Sequence, residues 1–146
     1  MNQTKAVPRI LSVLAALLLL LTSLTACSGG ITREEAKTAM DSLLVALDNE
    51  NYAEAAALYH PDAAMTEELL AAFAEQVKTK VGIDLTEGAT VEKITGISSS
   101  YYDSTVGGSR YELTARIKAG DKTASLTVEV VRNEKGYGIF QVECNP

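Results

Sequence analysis

"RYELTARIKAGDKTASLTVEVVRNEKGYGIFQVEC", residues 110–144, decides the architecture of this chain. In its first segment Tyr111, Leu113, Ala115 and Ile117 alternate with Glu112, Thr114 and Arg116, the period-two pattern of a half-buried strand. "AGDK" is a turn. "TASLTVEVV" alternates again, with Ala124, Leu126, Val128 and Val130 on one side. "RNEKG" turns the chain once more, and "YGIFQVEC" forms a last strand with Phe140 and Val142 expected toward the core. Three alternating strands joined by short turns make an antiparallel meander with one wet face.

Upstream, the period changes. Thr32 begins a helix and Glu35 follows three residues later, the spacing of a capping box. Ala36, Met40, Leu43, Leu44 and Leu47 then recur at helical intervals on one face. The polar run 48–51 ends that helix. A second, alanine-rich helix is expected over 52–59. A third is expected over 66–81, with Leu69, Leu70, Phe73 and Val77 on one stripe and Gly82 as its stop. "ATVEKITGI", 89–97, reads as a strand of mixed pattern. The Ser/Gly-rich stretch 98–109 reads as either a strand or a long loop. Helices first and strands afterwards predict an α+β domain, with N-terminal helices packed on one side of a curved antiparallel sheet.

The beginning of the chain has a different character. Residues 1–9 carry Lys5 and Arg9 and no acid, and 10–26 are apolar apart from a few hydroxyls. A basic segment followed by an apolar core shorter than the ~20 residues of a spanning helix is an export signal. "LTAC", 24–27, resembles a bacterial lipobox: Leu, two small or uncharged residues, then Cys. The resemblance implies acylation of Cys27, with diacylglyceryl and palmitate-type chains, and cleavage just before it. Two or more chains anchor stably where one binds only reversibly. The expected organisation is a lipoprotein signal peptide at 1–26, a lipidated tether at 27–31 and a single domain at 32–146. Its address is the extracytoplasmic face of the cell membrane.

Charge and cysteine usage narrow the partners. The formal net charge is −6, and loss of Lys5 and Arg9 leaves eleven basic residues against nineteen acidic ones, a net of −8. No basic patch survives to hold nucleic acid, and attachment to the membrane falls to the lipid. If Cys27 is a thioether, Cys144 is left alone. It reads as a small apolar residue on the last strand, with an intermolecular disulfide as the alternative. One His and one free Cys do not make a metal site. No cofactor is expected, because the chain carries no Gly-rich phosphate loop, nucleophile elbow or zinc signature.

The order of elements, with "NYAEAAALYHPDA" at 51–63, resembles the nuclear-transport-factor-like cone fold. Its phrase N/D-Y-x-x-A…L is matched by Asn51, Tyr52, Ala55 and Leu58. Ketosteroid isomerases, polyketide cyclases and many small lipoproteins of unassigned function share that fold, so the likeness implies a fold and not an activity. Isomerases of that fold place an Asp base and a Tyr donor in an apolar cone. Here the inward positions of the three alternating strands hold no acid; Glu112, Glu129 and Glu143 fall on the other face. Tyr52, Tyr59 and Tyr111 are the candidate pocket residues, and His60 with Asp62 is the one candidate catalytic pair. His-Pro-Asp at 60–62 also resembles the signature of a J domain, but the helix before it carries Glu54 and no Lys or Arg. Tyr101 and Tyr102 should point to opposite faces of a strand, leaving at least one exposed, either as an ordinary surface-strand residue or as a ligand or partner contact. The reading favours a non-catalytic domain that binds a small apolar ligand or an envelope protein. The alternative is a cyclase- or isomerase-like enzyme using Tyr with Asp62 or His60.

Overall fold

The computed structural model describes residues 30–146. Four strands, β1 (Thr90–Asp103), β2 (Gly108–Ala119), β3 (Lys122–Asn133) and β4 (Gly136–Asn145), form one sheet in the order β1-β2-β3-β4. Every pairing is antiparallel. The β2–β3 hairpin is regular: Tyr111, Leu113, Ala115 and Ile117 lie opposite Val130, Val128, Leu126 and Ala124, and all eight are buried. Gly120 turns this hairpin with φ +59°, a conformation that an L side chain resists.

The outer strands depart from strict alternation, for one shared reason. Each β-bulge adds a residue that the partner strand does not match, and the faces exchange parity beyond it. In β1, irregularities between Val91 and Lys93 and between Ile94 and Gly96 bring Val91, Ile94 and Ile97, three apart, opposite Ile117, Ala115 and Leu113. This is why 89–97 reads as mixed. The Ser/Gly-rich stretch resolves into strand as far as Asp103 and a turn at 104–107. In β4 a bulge lies where Glu129 pairs with Gln141 and Val130 pairs with Ile139, leaving Phe140 as the unmatched residue. The expectation for Phe140 is therefore corrected: Ile139 fills the core, whereas Phe140 is half-buried at the bulge. Val142 packs against the core edge as expected. The bulges bend the sheet into a curved, unclosed surface.

Helix α1 (Arg33–Asp48) lies across one face of the sheet, contacting β1, β2 and β3. Its capping box is complete: Glu35 N–H donates to the Thr32 hydroxyl at 3.2 Å, and Thr32 N–H donates to the Glu35 carboxylate at 2.8 Å. Ala36, Met40, Leu43, Leu44 and Leu47 are essentially inaccessible. Burial of each large apolar side chain contributes about 1.5–3 kcal/mol, which dwarfs the cap. Helix α2 (Tyr52–Ala57) is short and buries Ala55. Helix α3 (Glu67–Gln76) starts at a Thr66 cap and continues as a π turn, Val77–Val81, stopped by Gly82 at φ +84°. Leu70 and Val77 are buried and Phe73 packs against the core, but Leu69 is 54% exposed. The stripe is narrower than expected because α3 sits at the rim of the layer, with one face covered.

Between α2 and α3 the chain does something that periodicity does not announce. Residues 58–60 run beside β4. His60 N–H donates to the Ile139 carbonyl at 2.8 Å and Ile139 N–H donates to the Leu58 carbonyl at 2.9 Å. The approach is so close that a Cβ on Gly138 would collide with the backbone of Tyr59 and His60. Only glycine permits it.

Candidate functional site

Pro61 forces His60 into extended geometry (φ −62°, ψ 143°), and a single 3-10 turn follows at Pro61–Ala63. The imidazole is 1% exposed. Asp62 N–H donates to Nδ1 at 3.1 Å, and Nε2 lies 2.9 Å from the Asn133 side-chain oxygen. Because a backbone N–H occupies the Nδ1 lone pair, the neutral ring carries its proton on Nε2 and donates it to Asn133. Both nitrogens are spent, and the edge of the ring meets Phe140, with centroids 6.4 Å apart.

Asn133 is the centre of this cluster. Its oxygen also accepts from Lys135 N–H at 2.9 Å, and its amide donates to the Val106 carbonyl at 2.8 Å. One side chain thus ties together the β3–β4 turn, the β1–β2 turn and the histidine corner. Asn in a turn after an alternating strand was the only signal for it, and that signal is indistinguishable from an ordinary turn residue.

Asp62 does not form a catalytic dyad. Its carboxylate accepts from the Lys135 ammonium at 2.8 Å and stays 3.9 Å from Nδ1. The Lys135 hydrogen bond holds its carboxyl below the usual range. The cap that holds the 3-10 turn is the His60 ring, and α3 is capped by Thr66; Asp62 caps neither.

The three candidate tyrosines are not gathered around an open cavity. Tyr59 and Tyr111 are buried in the core, and Tyr52 packs on it from the side. The Tyr59 hydroxyl is buried without a hydrogen-bond partner, and burial pushes its ionisation well above the ordinary phenol value. The space between α1 and the sheet is filled by Met40, Leu43, Leu44 and Leu47 together with the inward residues of β2 and β3.

Concavity appears instead between α3 and β4. A groove of about 350 Å³ is lined by Phe73, Val77, Val81, Val142 and Cys144 together with the polar Gln76, Lys80 and Asn145. Cys144 is a free, half-buried thiol, and burial pushes it up to about 11. On the opposite, outer face of the sheet, Glu112, Glu129 and Glu143 stand where alternation put them. Glu129 is buried against the Arg110 guanidinium at 2.7 Å. That pair was not apparent from the sequence, since Arg110 and Glu129 become diagonal neighbours only through the β2–β3 register.

Among the described residues no group of three His, Cys, Asp or Glu side chains could hold a metal ion, and no helix is long and apolar enough to cross a membrane. Cys27 and the expected signal peptide lie outside the described residues. Comparison with known proteins returns no matching family model, no matching curated protein and no matching solved structure.

Proposed function

We propose that this chain is a bacterial cell-envelope lipoprotein, anchored through acyl groups on Cys27, whose domain binds an apolar ligand or an envelope protein rather than catalysing a reaction. The anchoring half rests on the sequence: a basic start, a short apolar core, and Leu24-Thr25-Ala26-Cys27 directly before the folded domain. The finer architecture in this reading is the nuclear-transport-factor-like cone, supported by helix α1 packed across a curved, unclosed antiparallel sheet.

The observation that carries the binding half is the use of the only histidine. Both His60 nitrogens hold the corner together, and Asp62 is paired at the surface with Lys135. A base must offer a free lone pair to its substrate; the His60 ring has none, and Asp62 lies at the surface beside Lys135, outside the apolar interior. An isomerase of this fold also needs a carboxylate in its apolar interior, where this protein places Leu, Val, Ile and Met. The α3–β4 groove, at about 350 Å³, is the size of a small-ligand site, and Phe73, Val77, Val81 and Val142 supply the apolar part of its mixed lining.

Two experiments test the halves separately. Cys27→Ala should abolish acylation and leave unprocessed precursor in a detergent-phase partition; normal processing would refute the anchor. Native mass spectrometry of protein purified from the envelope should show an adduct that Val142→Trp, which fills the groove, removes. An adduct unaffected by Val142→Trp would count against the groove, and crosslinking in intact cells would then identify a protein partner.

A further inference from the structure

Gly30, the first described residue, is held in place at the hairpin end of the sheet. Its carbonyl accepts from Arg132 at 3.5 Å, and its Cα lies against the Tyr101 ring, where a Cβ would stand 3.3 Å from the ring edge. Arg132 is itself fixed by Glu35 at 2.7 Å and stacks over Tyr137 at 4.8 Å. The chain therefore leaves the domain beside Tyr101.

Tyr101 and Tyr102 are the two most exposed large apolar side chains of the described residues, at 76% and 67%. They sit at the end of β1, just before the turn at 104–107. Among the nearby charges, Asp103 accepts from Thr105 and shares Arg110 with Glu129, and Arg132 pairs with Glu35. The tip offers two aromatic rings with polar ends. Tyrosine of this kind is enriched where one end is apolar and the other wet, as at a bilayer interface.

The length of chain beyond Gly30 selects the occupant. Cys27 is three Cα steps away, at most about 11 Å when fully extended. We infer that Tyr101 and Tyr102 insert into the headgroup region of the membrane that holds Cys27, and so orient the domain with the β2–β3 turn pointing away from the bilayer. The inference rests on the anchoring reading above. The lipid supplies the attachment, and the tyrosines set the posture. The tether is too short for the domain to tumble freely, and the tip nearest the anchor is the aromatic one. Contact does not depend on anionic lipid, because no basic patch takes part and the domain is acidic.

The absence of Trp from the chain makes the test direct. Full-length lipidated protein carrying Tyr101→Trp, Tyr102→Trp or Asp121→Trp is reconstituted into phosphatidylcholine vesicles, with or without dibrominated acyl chains. Asp121 lies in the β2–β3 turn, the length of β2 away, about 35 Å for an untwisted strand. The expected result is quenching by half or more at positions 101 and 102, with a blue-shifted spectrum, and none at 121. A chain that floats with the vesicles but quenches equally at all three positions, or at none, overturns the tyrosine contact alone. A chain that fails to float overturns the anchoring reading and this inference with it.

Discussion

Gly138→Ala is the sharpest probe of the histidine corner. A methyl group at this position would strike the backbone of Tyr59 and His60, which has no flexible end to swing aside. The segment at 58–60 must move off β4. That breaks the His60–Ile139 and Ile139–Leu58 hydrogen bonds, each contributing about 1 kcal/mol net. It also pulls the imidazole from Asn133 and from the Asp62 N–H, for about 1 kcal/mol more after partial resolvation. Against this, alanine in a strand gains about 0.5–1 kcal/mol over glycine from the unfolded chain. The net expectation is a loss of about 2–2.5 kcal/mol, read as a lower urea midpoint at unchanged slope. Gly96→Ala is the control, since its Cβ would meet only Thr114 at an ordinary 3.4 Å. It should be neutral or slightly stabilising. A Gly138→Ala midpoint indistinguishable from wild type would refute the close packing of 58–60 on β4, and with it the structural assignment of His60.

Three further outcomes are expected. Leu70→Ala should cost about 2–5 kcal/mol by cavity formation while Leu69→Ala costs less than about 0.5, both by urea titration; equal costs would mean α3 is rotated. Cys144, with its thiol held near 11, should react with iodoacetamide at pH 8 about two orders of magnitude more slowly when folded than in urea, and comparable rates would contradict its burial. Asp84 accepts from Lys78 at 2.7 Å and from Thr86, which holds its carboxyl at about 2 against an ordinary 3.8. The stabilisation is therefore full above about pH 4 and lost as pH falls through about 2, so Asp84→Asn should flatten the acid limb of the stability curve between pH 4 and 2. An unchanged limb would show that the Lys78–Asp84 pair contributes nothing.

Much of the fold was legible because most of its elements obey one period each. Alternation located the inward faces of β2 and β3, and helical spacing located the buried face of α1, including its cap at Thr32 and Glu35. The reading weakened wherever parity changed. The β1 bulges scrambled 89–97, and the β4 bulge put Ile139 in the core position that alternation assigned to Phe140. A bulge depends on how two strands meet, so neither strand carries it alone. The candidate site was less legible. His60 and Asp62 were recognisable as a corner, but their division of labour required Asn133 and Lys135, which are 73 residues distant from their partners.

What the sequence determined by itself is local: the periods, the caps, the glycine stops and the acidic balance. Each depends on side chains within a few residues of one another, whose physics is nearly independent of the rest of the chain. Only the tertiary structure decided that the histidine is a strut and that the space between α1 and the sheet is filled. It also decided that a groove opens beside Cys144 and that the chain departs next to two exposed tyrosines. These facts depend on backbone approaches such as Gly138 against Tyr59 and on hydrogen bonds between distant turns. No local pattern encodes them, because the interacting groups become neighbours only when the core that joins them has closed.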